Sequence, residues 1–262
     1  MRYQALATDY DGTIADDGVV DELTLAALAR LRDGARRLIL ITGRDLADLR
    51  RVMPRLDLFD LVVAENGALL YDPANHEVRA LGDAPPPAFV ERLRELEVAP
   101  LWLGQVIVAT QEPNVGKVVS AIRDLGLNLR IACNKGVAIV LPSGVTKASG
   151  LRGALAQLGL SPLNCIGVGD AENDLAFLGV CGLPVAVANA LPSVKERAAF
   201  VTEGKRGAGV AELIDQLLAT DLAGFDAIGE RERVAFVADD LGKPPLCVEA
   251  EWISQSLSLP EC

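Results

Sequence analysis

A chain of 262 residues that is half hydrophobic can bury a core large enough for one large domain or two modest ones. Its formal net charge of −11 argues against a nucleic-acid partner, because a phosphate backbone needs a basic footprint. No apolar run approaches the roughly 20 residues that cross a bilayer, and Met1-Arg-Tyr-Gln leads straight into strand-like sequence without the layout of a signal peptide. Cys133, Cys165, Cys181, Cys247 and Cys262 are odd in number and never in Cys-x-x-Cys spacing. That pattern fits reduced thiols in a cytoplasm better than a disulfide framework or a zinc site.

In chain order, the first element is the stretch Ala5-Leu-Ala-Thr-Asp9-Tyr-Asp11-Gly-Thr13, an apolar run ending in two carboxylates with Gly12 behind them. It predicts a buried strand opening into a tight loop. Two acids there can share a pocket, and they repel unless a cation or a shared proton relieves the charge. Asp21 is a candidate N-cap for a helix carrying Leu23, Leu25, Leu28 and Leu31, with Gly34 as its stop. Arg37–Ile41 predicts a second strand, followed by Thr42-Gly43-Arg44. A helix over about 45–53 ends before Pro54, and Leu61-Val-Val-Ala64 predicts a third strand, broken by Glu65-Asn66-Gly67. Fully apolar strands alternating with helices are the pattern of a parallel sheet covered on both faces.

The rhythm then changes. Leu69 to Leu81 predicts a hairpin around Pro73-Ala-Asn-His76, and Asp83-Ala-Pro-Pro-Pro87 is a stiff linker. Beyond it come a helix (about 88–97), one strand (Leu101 to Thr110), a helix (about 114–125) and two strands, 129–133 and 137–141, joined by Asn134-Lys-Gly136. This is an α+β insert large enough for a small domain. The parallel pattern resumes with a helix over 147–158 and the strand 164–169. Asp170-Ala-Glu-Asn-Asp174 opens the next helix, and 184–187, Phe200-Val201 and a helix over about 207–218 complete the sheet. The expected fold class is α/β, a Rossmann-like parallel-sheet core over 1–82 and 144–220. A smaller α+β domain is inserted over 83–143, and 221–262 is a C-terminal extension of unassigned role. Within that extension 233–238 has strand-like sequence.

Four polar clusters directly follow apolar strands: Asp9/Asp11, Thr42-Gly43-Arg44, Asn66-Gly67 and Asp170/Asp174. In open parallel sheets ligands bind outside the carboxyl ends of the strands, so these clusters converge although distant in sequence. Several carboxylates at one sheet edge call for a hard divalent cation, and Mg²⁺ favours oxygen ligands. With Lys147 as a fixed positive charge, the set suits phosphoryl transfer, where positioning and charge neutralisation dominate.

Asp9-Tyr-Asp11-Gly-Thr13, Ile41-Thr42-Gly43-Arg44, Thr146-Lys147 and Gly169-Asp170-Ala-Glu-Asn173-Asp174 stand in the order of the four motifs of the haloacid dehalogenase-like hydrolases. Over about residues 1–220 the chain resembles that superfamily, and within it the Cof-like phosphatases. The resemblance implies Asp9 as a nucleophile forming an aspartyl-phosphate. It implies Asp11 as the acid and base that serves first the leaving oxygen and then the water. Thr42, Gly43, Lys147 and Asn173 would hold the phosphoryl group. Mg²⁺ would be bound by Asp9, Asp170 and the backbone carbonyl of Asp11, with Asp174 supporting its shell. An acid at position 11 marks a phosphatase, since relatives that break carbon–halogen or carbon–phosphorus bonds lack it.

Only a short loop separates Gly12 from Asp21, so the insert between Asn66 and Lys147 corresponds to the cap of Cof-like sugar phosphatases and archaeal-type phosphoglycolate phosphatases. Trp102, Gln105, Asn134 and Lys135 are candidate substrate readers in it, although core packing for Trp102 and solvation for Lys135 are the simpler readings. Arg44 stands between a role at the site and a surface position at a helix start. Asn173 has the alternative of local hydrogen bonding in a helix's first turn. His76, in a turn, is expected at the surface, and Cys165 and Cys181 as buried small hydrophobes. The implied function is Mg²⁺-dependent hydrolysis of a small phosphorylated metabolite, a sugar phosphate or phosphoglycolate. Its rivals are a phosphotransferase of the same chemistry and a phosphate-binding regulatory module. Oligomeric state is left open.

Overall fold

The computed structural model describes residues 1–134 and 136–223, arranged in two compact units. Of the described residues, one unit holds Met1–Leu81 and 145–223; the other holds Gly82–Gly144. The predicted strand over 233–238 lies outside the described residues.

In chain order the first unit begins with β1 (Ala5–Asp9), α1 (Glu22–Asp33), β2 (Arg37–Ile41), α2 (Leu46–Val52), β3 (Leu61–Ala64) and the hairpin strands β4 (Leu69–Tyr71) and β5 (Val78–Ala80). The second unit contributes α3 (Pro87–Glu95), β6 (Trp102–Leu103), β7 (Val108–Gln111), α4 (Val115–Asp124), β8 (Leu129–Asn134) and β9 (Val137–Pro142). The first unit then resumes with α5 (Lys147–Leu158), β10 (Cys165–Gly169), α6 (Leu175–Leu178), β11 (Leu183–Ala186), α7 (Pro192–Lys195), β12 (Phe200–Val201) and α8 (Arg206–Thr220).

The first unit is built on an eight-stranded sheet in the order β12-β11-β10-β1-β2-β3-β4-β5. The strands from β12 to β3 pair in parallel, and the hairpin adds β4 and β5 antiparallel at one edge. Ala5, Leu6, Ala7, Thr8 and Asp9 of β1 are all buried, as a central strand covered on both faces requires. Strand order reverses beside β1, with β2 on one side and β10 on the other, which opens a crevice at their carboxyl ends. Helix starts follow their caps. The Asp21 side chain accepts the Thr24 N–H, Asp45 accepts the Asp48 N–H, and Thr146 forms a capping box with Ser149.

The second unit is a four-stranded antiparallel sheet, β6-β7-β9-β8, packed against α3 and α4. Phe89 and Leu93 from α3 and Val115, Val118 and Ala121 from α4 meet Val108, Ile131, Ala138 and Val140 from the sheet. Two expectations are corrected here. The single strand over 101–110 is a tight hairpin, since the Gly104 N–H donates to the Ile107 carbonyl and Trp102 pairs with Ala109. Trp102 is 46% exposed on that edge strand, so it does not pack in this unit's core.

Candidate active site

Because β1, β2, β3 and β10 run in parallel, their carboxyl ends share one edge. Asp9 ends β1, Thr42 follows β2, Glu65-Asn66-Gly67 follows β3, and Asp170 follows β10. Gly12 turns the chain after β1 with φ +93°, a conformation that L side chains rarely adopt. A Cβ on Gly12 would run into the Asp170 carboxylate. The bare glycine therefore lets the first loop close directly onto the acid of β10.

Three carboxylates converge at this edge. Asp9, Asp170 and Asp174 are all buried, and one ligand oxygen from each lies within 4.8 Å of the others. Lys147, the first residue of α5 and itself buried, is placed there by the Thr146 capping box. Its Nζ donates to Asp9 Oδ1 at 2.6 Å and to Asp174 Oδ1 at 2.7 Å. Asp174 Oδ2 accepts the backbone N–H groups of Asp170 and Ala171 at 3.0 and 3.1 Å, which fixes the turn carrying both acids. Thr13 donates its hydroxyl to Asp170 Oδ1 at 3.3 Å.

The electrostatics follow from this geometry. Burial pushes the Asp9 carboxyl well above the usual carboxylate range, the Asp174 and Asp170 charges push it further, and Lys147 pulls it back only in part. Burial would lower Lys147, but the carboxylates of Asp174 and Asp9 hold its ammonium above its ordinary range. Three buried acids stand here beside one ammonium, which bonds two of them, so the pocket holds more carboxyl groups than its own cation can balance. Buried carboxylate oxygens at this spacing match the hard-oxygen donor set that a divalent cation takes.

The Asp11 carboxylate stands apart from this cluster. Both its oxygens accept from Arg44, Nε to Oδ2 and Nη2 to Oδ1, each at 2.7 Å. Arg44 is thereby drawn into the site rather than left at the surface. Thr42 is fully buried and its Oγ1 accepts the Arg44 N–H at 3.1 Å, with Gly43 in the bend between them.

Asn173 Oδ1 is buried and makes no hydrogen bond, so local helix-turn bonding of that oxygen is overturned and an acceptor is left for a ligand or solvent. Trp102 and Gln105 lie in the hairpin of the second unit and Asn134 ends β8, while Lys135 lies outside the described residues. His76 sits in the exposed β4–β5 turn, its ring nitrogen 2.9 Å from the Tyr71 hydroxyl, and Cys165 and Cys181 are buried and free.

Two further groups belong here, Asn189, which the sequence left unmarked, and Asn66-Gly67, marked as a converging cluster but given no role. Asn189 follows β11; its Nδ2 donates to the Gly12 carbonyl at 2.8 Å and its Oδ1 accepts the Arg206 N–H at 2.7 Å. The only sequence signal was a lone amide in an apolar stretch after a strand. Glu65, Asn66 and Gly67 form a buried turn with φ of 52°, 56° and 103° in succession, and Asn66 Oδ1 has no partner. Consecutive left-handed residues in a buried turn are costly and cluster at functional sites. The turn bonds back to the second motif, since the Asn66 N–H donates to Thr42 and the Glu65 N–H to Arg44. A Cβ on Gly67 would collide with the Thr146 carbonyl, so this glycine permits the contact that seats Lys147.

Comparison with known proteins places this arrangement. A family model described as haloacid dehalogenase-like hydrolase matches residues 6–93 and 103–214. A phosphoglycolate phosphatase of Methanothermobacter thermautotrophicus is 32% identical over 226 residues, covering 82% of this chain and 99% of the relative. A phosphoglycolate phosphatase of Haloarcula marismortui is 32% identical over 219 residues, covering 80% and 95%. Among solved structures, a haloacid dehalogenase-like hydrolase from Bacteroides thetaiotaomicron superposes with a TM-score of 0.70 at 20% identity, over 82% of this chain and 99% of that one. A sugar phosphatase of subclass IIB does so with a TM-score of 0.66 at 19% identity, over 82% and 98%. No helix among the described residues is long and apolar enough to cross a membrane.

Proposed function

The chain belongs to the haloacid dehalogenase-like hydrolases, and on that premise we propose that this phosphatase is a Mg²⁺-dependent phosphomonoester hydrolase working through an aspartyl-phosphate on Asp9. Its substrate is a small phosphorylated metabolite of the phosphoglycolate or sugar phosphate type, as in the relatives' names. The observation that carries the reading is the buried trio Asp9, Asp170 and Asp174, with Lys147 bonded to two of its members, at the carboxyl edge of a parallel sheet.

Asp9 attacks phosphorus: an Asp9 oxygen–phosphorus bond forms as the bond from phosphorus to the leaving oxygen breaks, and Asp11 gives that oxygen its proton. Water then attacks the phosphorus of the acyl-phosphate, Asp11 takes the water's proton, and the Asp9 carboxylate leaves. Lys147 holds Asp9 and Asp174 in place and offsets negative charge gathering on the phosphoryl oxygens. The Thr42 hydroxyl, the Gly43 backbone and the Asn173 carboxamide orient that group. Asp9, Asp170 and the Asp11 carbonyl, with Asp174 behind them, would hold Mg²⁺, which would supply further charge neutralisation.

Purified protein with Mg²⁺, offered p-nitrophenyl phosphate and a panel of phosphorylated metabolites, is expected to release inorganic phosphate, and Asp9→Asn to abolish release while keeping the fold. Absence of turnover across the panel, or full activity in Asp9→Asn, would overturn the reading.

A further inference from the structure

We propose that Arg44 is a specificity-determining residue whose guanidinium fork holds Asp11 in the resting site and passes to an anionic group on the substrate's leaving part. The inference deepens the hydrolase reading above and rests on it for the role of Asp11.

The fork is built to stay where it is. Arg44 Nη1 bonds Asp48 Oδ2 at 2.5 Å, and Asp48 is itself pinned, its N–H donating to Asp45 Oδ1 at the start of α2. The guanidinium carbon lies 5.4 Å from the centroid of the Tyr10 ring, within cation–π range. Gly18 leaves space beside Nη2, where a Cβ would stand 3.2 Å away. With Nη1 bonded and one face covered, the Nε–Nη2 edge is the part offered to a partner.

Asp11 is the partner able to leave. Its side chain is 35% exposed, it precedes the Gly12 turn, and its carboxylate belongs to no metal cluster among the described residues. While both its oxygens are bound to Arg44, neither is presented to a leaving oxygen. A planar carboxylate on the leaving group fits the same two donors with the same geometry. When it takes the fork, it both fixes the leaving group and releases Asp11, whose freed carboxylate takes a proton from solvent and carries it to the leaving oxygen. An uncharged leaving group gives the fork no such alternative. The site would thereby couple recognition of an acidic leaving group to the freeing of its own acid.

The test uses full-length protein with Mg²⁺ and two inert phosphonates of similar size, phosphonopropionate, which carries a carboxylate, and propylphosphonate, which does not. Calorimetric titration is expected to show wild type preferring phosphonopropionate by about tenfold or more, the scale of a hydrogen bond to a charged group. Arg44→Gln should erase that preference, and Arg44→Lys, a point charge without the planar fork, should keep part of it. The ratio of kcat/KM for phosphoglycolate over ethylene glycol monophosphate should fall in parallel. Equal binding of the two phosphonates by wild type, or a preference that survives Arg44→Gln, overturns the proposal. If wild type shows the phosphonate preference but hydrolyses neither ester, the fork stands and the hydrolase reading falls.

Discussion

Lys147 Nζ sits 2.6 Å from Asp9 Oδ1 with both side chains buried, although 138 residues separate them in the chain. The pair joins the first half of the core to its resumption after the insert. Removing the ammonium would leave the buried carboxyls of Asp9 and Asp174 without this partner, a change that typically costs about 3–5 kcal/mol. Lys147→Met is therefore expected to lower the melting temperature strongly and to abolish phosphate release. Thermal unfolding with and without Mg²⁺ checks it; a variant as stable as wild type would show that the pair is not the joint it is taken for.

Gly12 is tested through the metal. The residue has φ +93°, and a Cβ there would run into the Asp170 carboxylate. Gly12→Ala should push Asp170 out of line with Asp9 and weaken Mg²⁺ binding by about tenfold or more, while the sheet still forms. Calorimetric Mg²⁺ titration measures this, and unchanged affinity would separate Asp170 from the metal.

The raised Asp9 carboxyl sets a pH dependence whose sign can be worked out. Its folded form keeps its proton from the ordinary 3.8 up to about 8, whereas the unfolded chain gives its proton up at the ordinary value. The folded state therefore binds more protons over that window, and metal-free protein loses stability as pH rises through it. Mg²⁺ favours the ionised form, so its stabilising effect should grow from pH 5 to pH 8. Each kcal/mol amounts to about 2–4 °C in melting temperature for a protein of this size. A melting-temperature gain from Mg²⁺ that is flat or falls with pH would contradict the assignment.

Asn189 tests a contact that the sequence left unmarked. Asn189→Ala removes its bonds to the Gly12 carbonyl and the Arg206 N–H, at a cost of about 1–3 kcal/mol. Because one of those bonds holds the nucleophile loop, kcat should fall more than KM changes. A variant with wild-type kcat would confine Asn189 to stability.

Much of the core was legible because its strands are continuous apolar runs ending in polar clusters, a pattern that parallel strands produce when both faces are covered. Asp9, Asp170 and Asp174 could be read together because each sits at the end of a strand or at a helix start, where position along the chain decides position in the fold, whereas Lys147 was read mainly from its match to the third motif. The hairpin of β6 and β7 was hidden because Leu101–Thr110 is largely apolar, and only Gly104 marked the turn. Trp102 was misplaced because hydrophobicity predicts burial in general but not which face of an edge strand is covered. The Arg44–Asp11 fork and the Asn189 tie depend on which side chains the sheet order brings together, and no local pattern encodes that.

The central claim is that Asp9 carries the phosphoryl group, and the most direct test is to trap it there. Asp11→Asn should leave attack possible on a good leaving group such as p-nitrophenol while slowing hydrolysis of the acyl-phosphate. Quenched with borohydride during turnover of p-nitrophenyl phosphate and Mg²⁺, this variant is expected to yield a peptide with residue 9 reduced to homoserine. Release of p-nitrophenol with residue 9 unmodified, or reduction of a carboxylate elsewhere, would contradict the account.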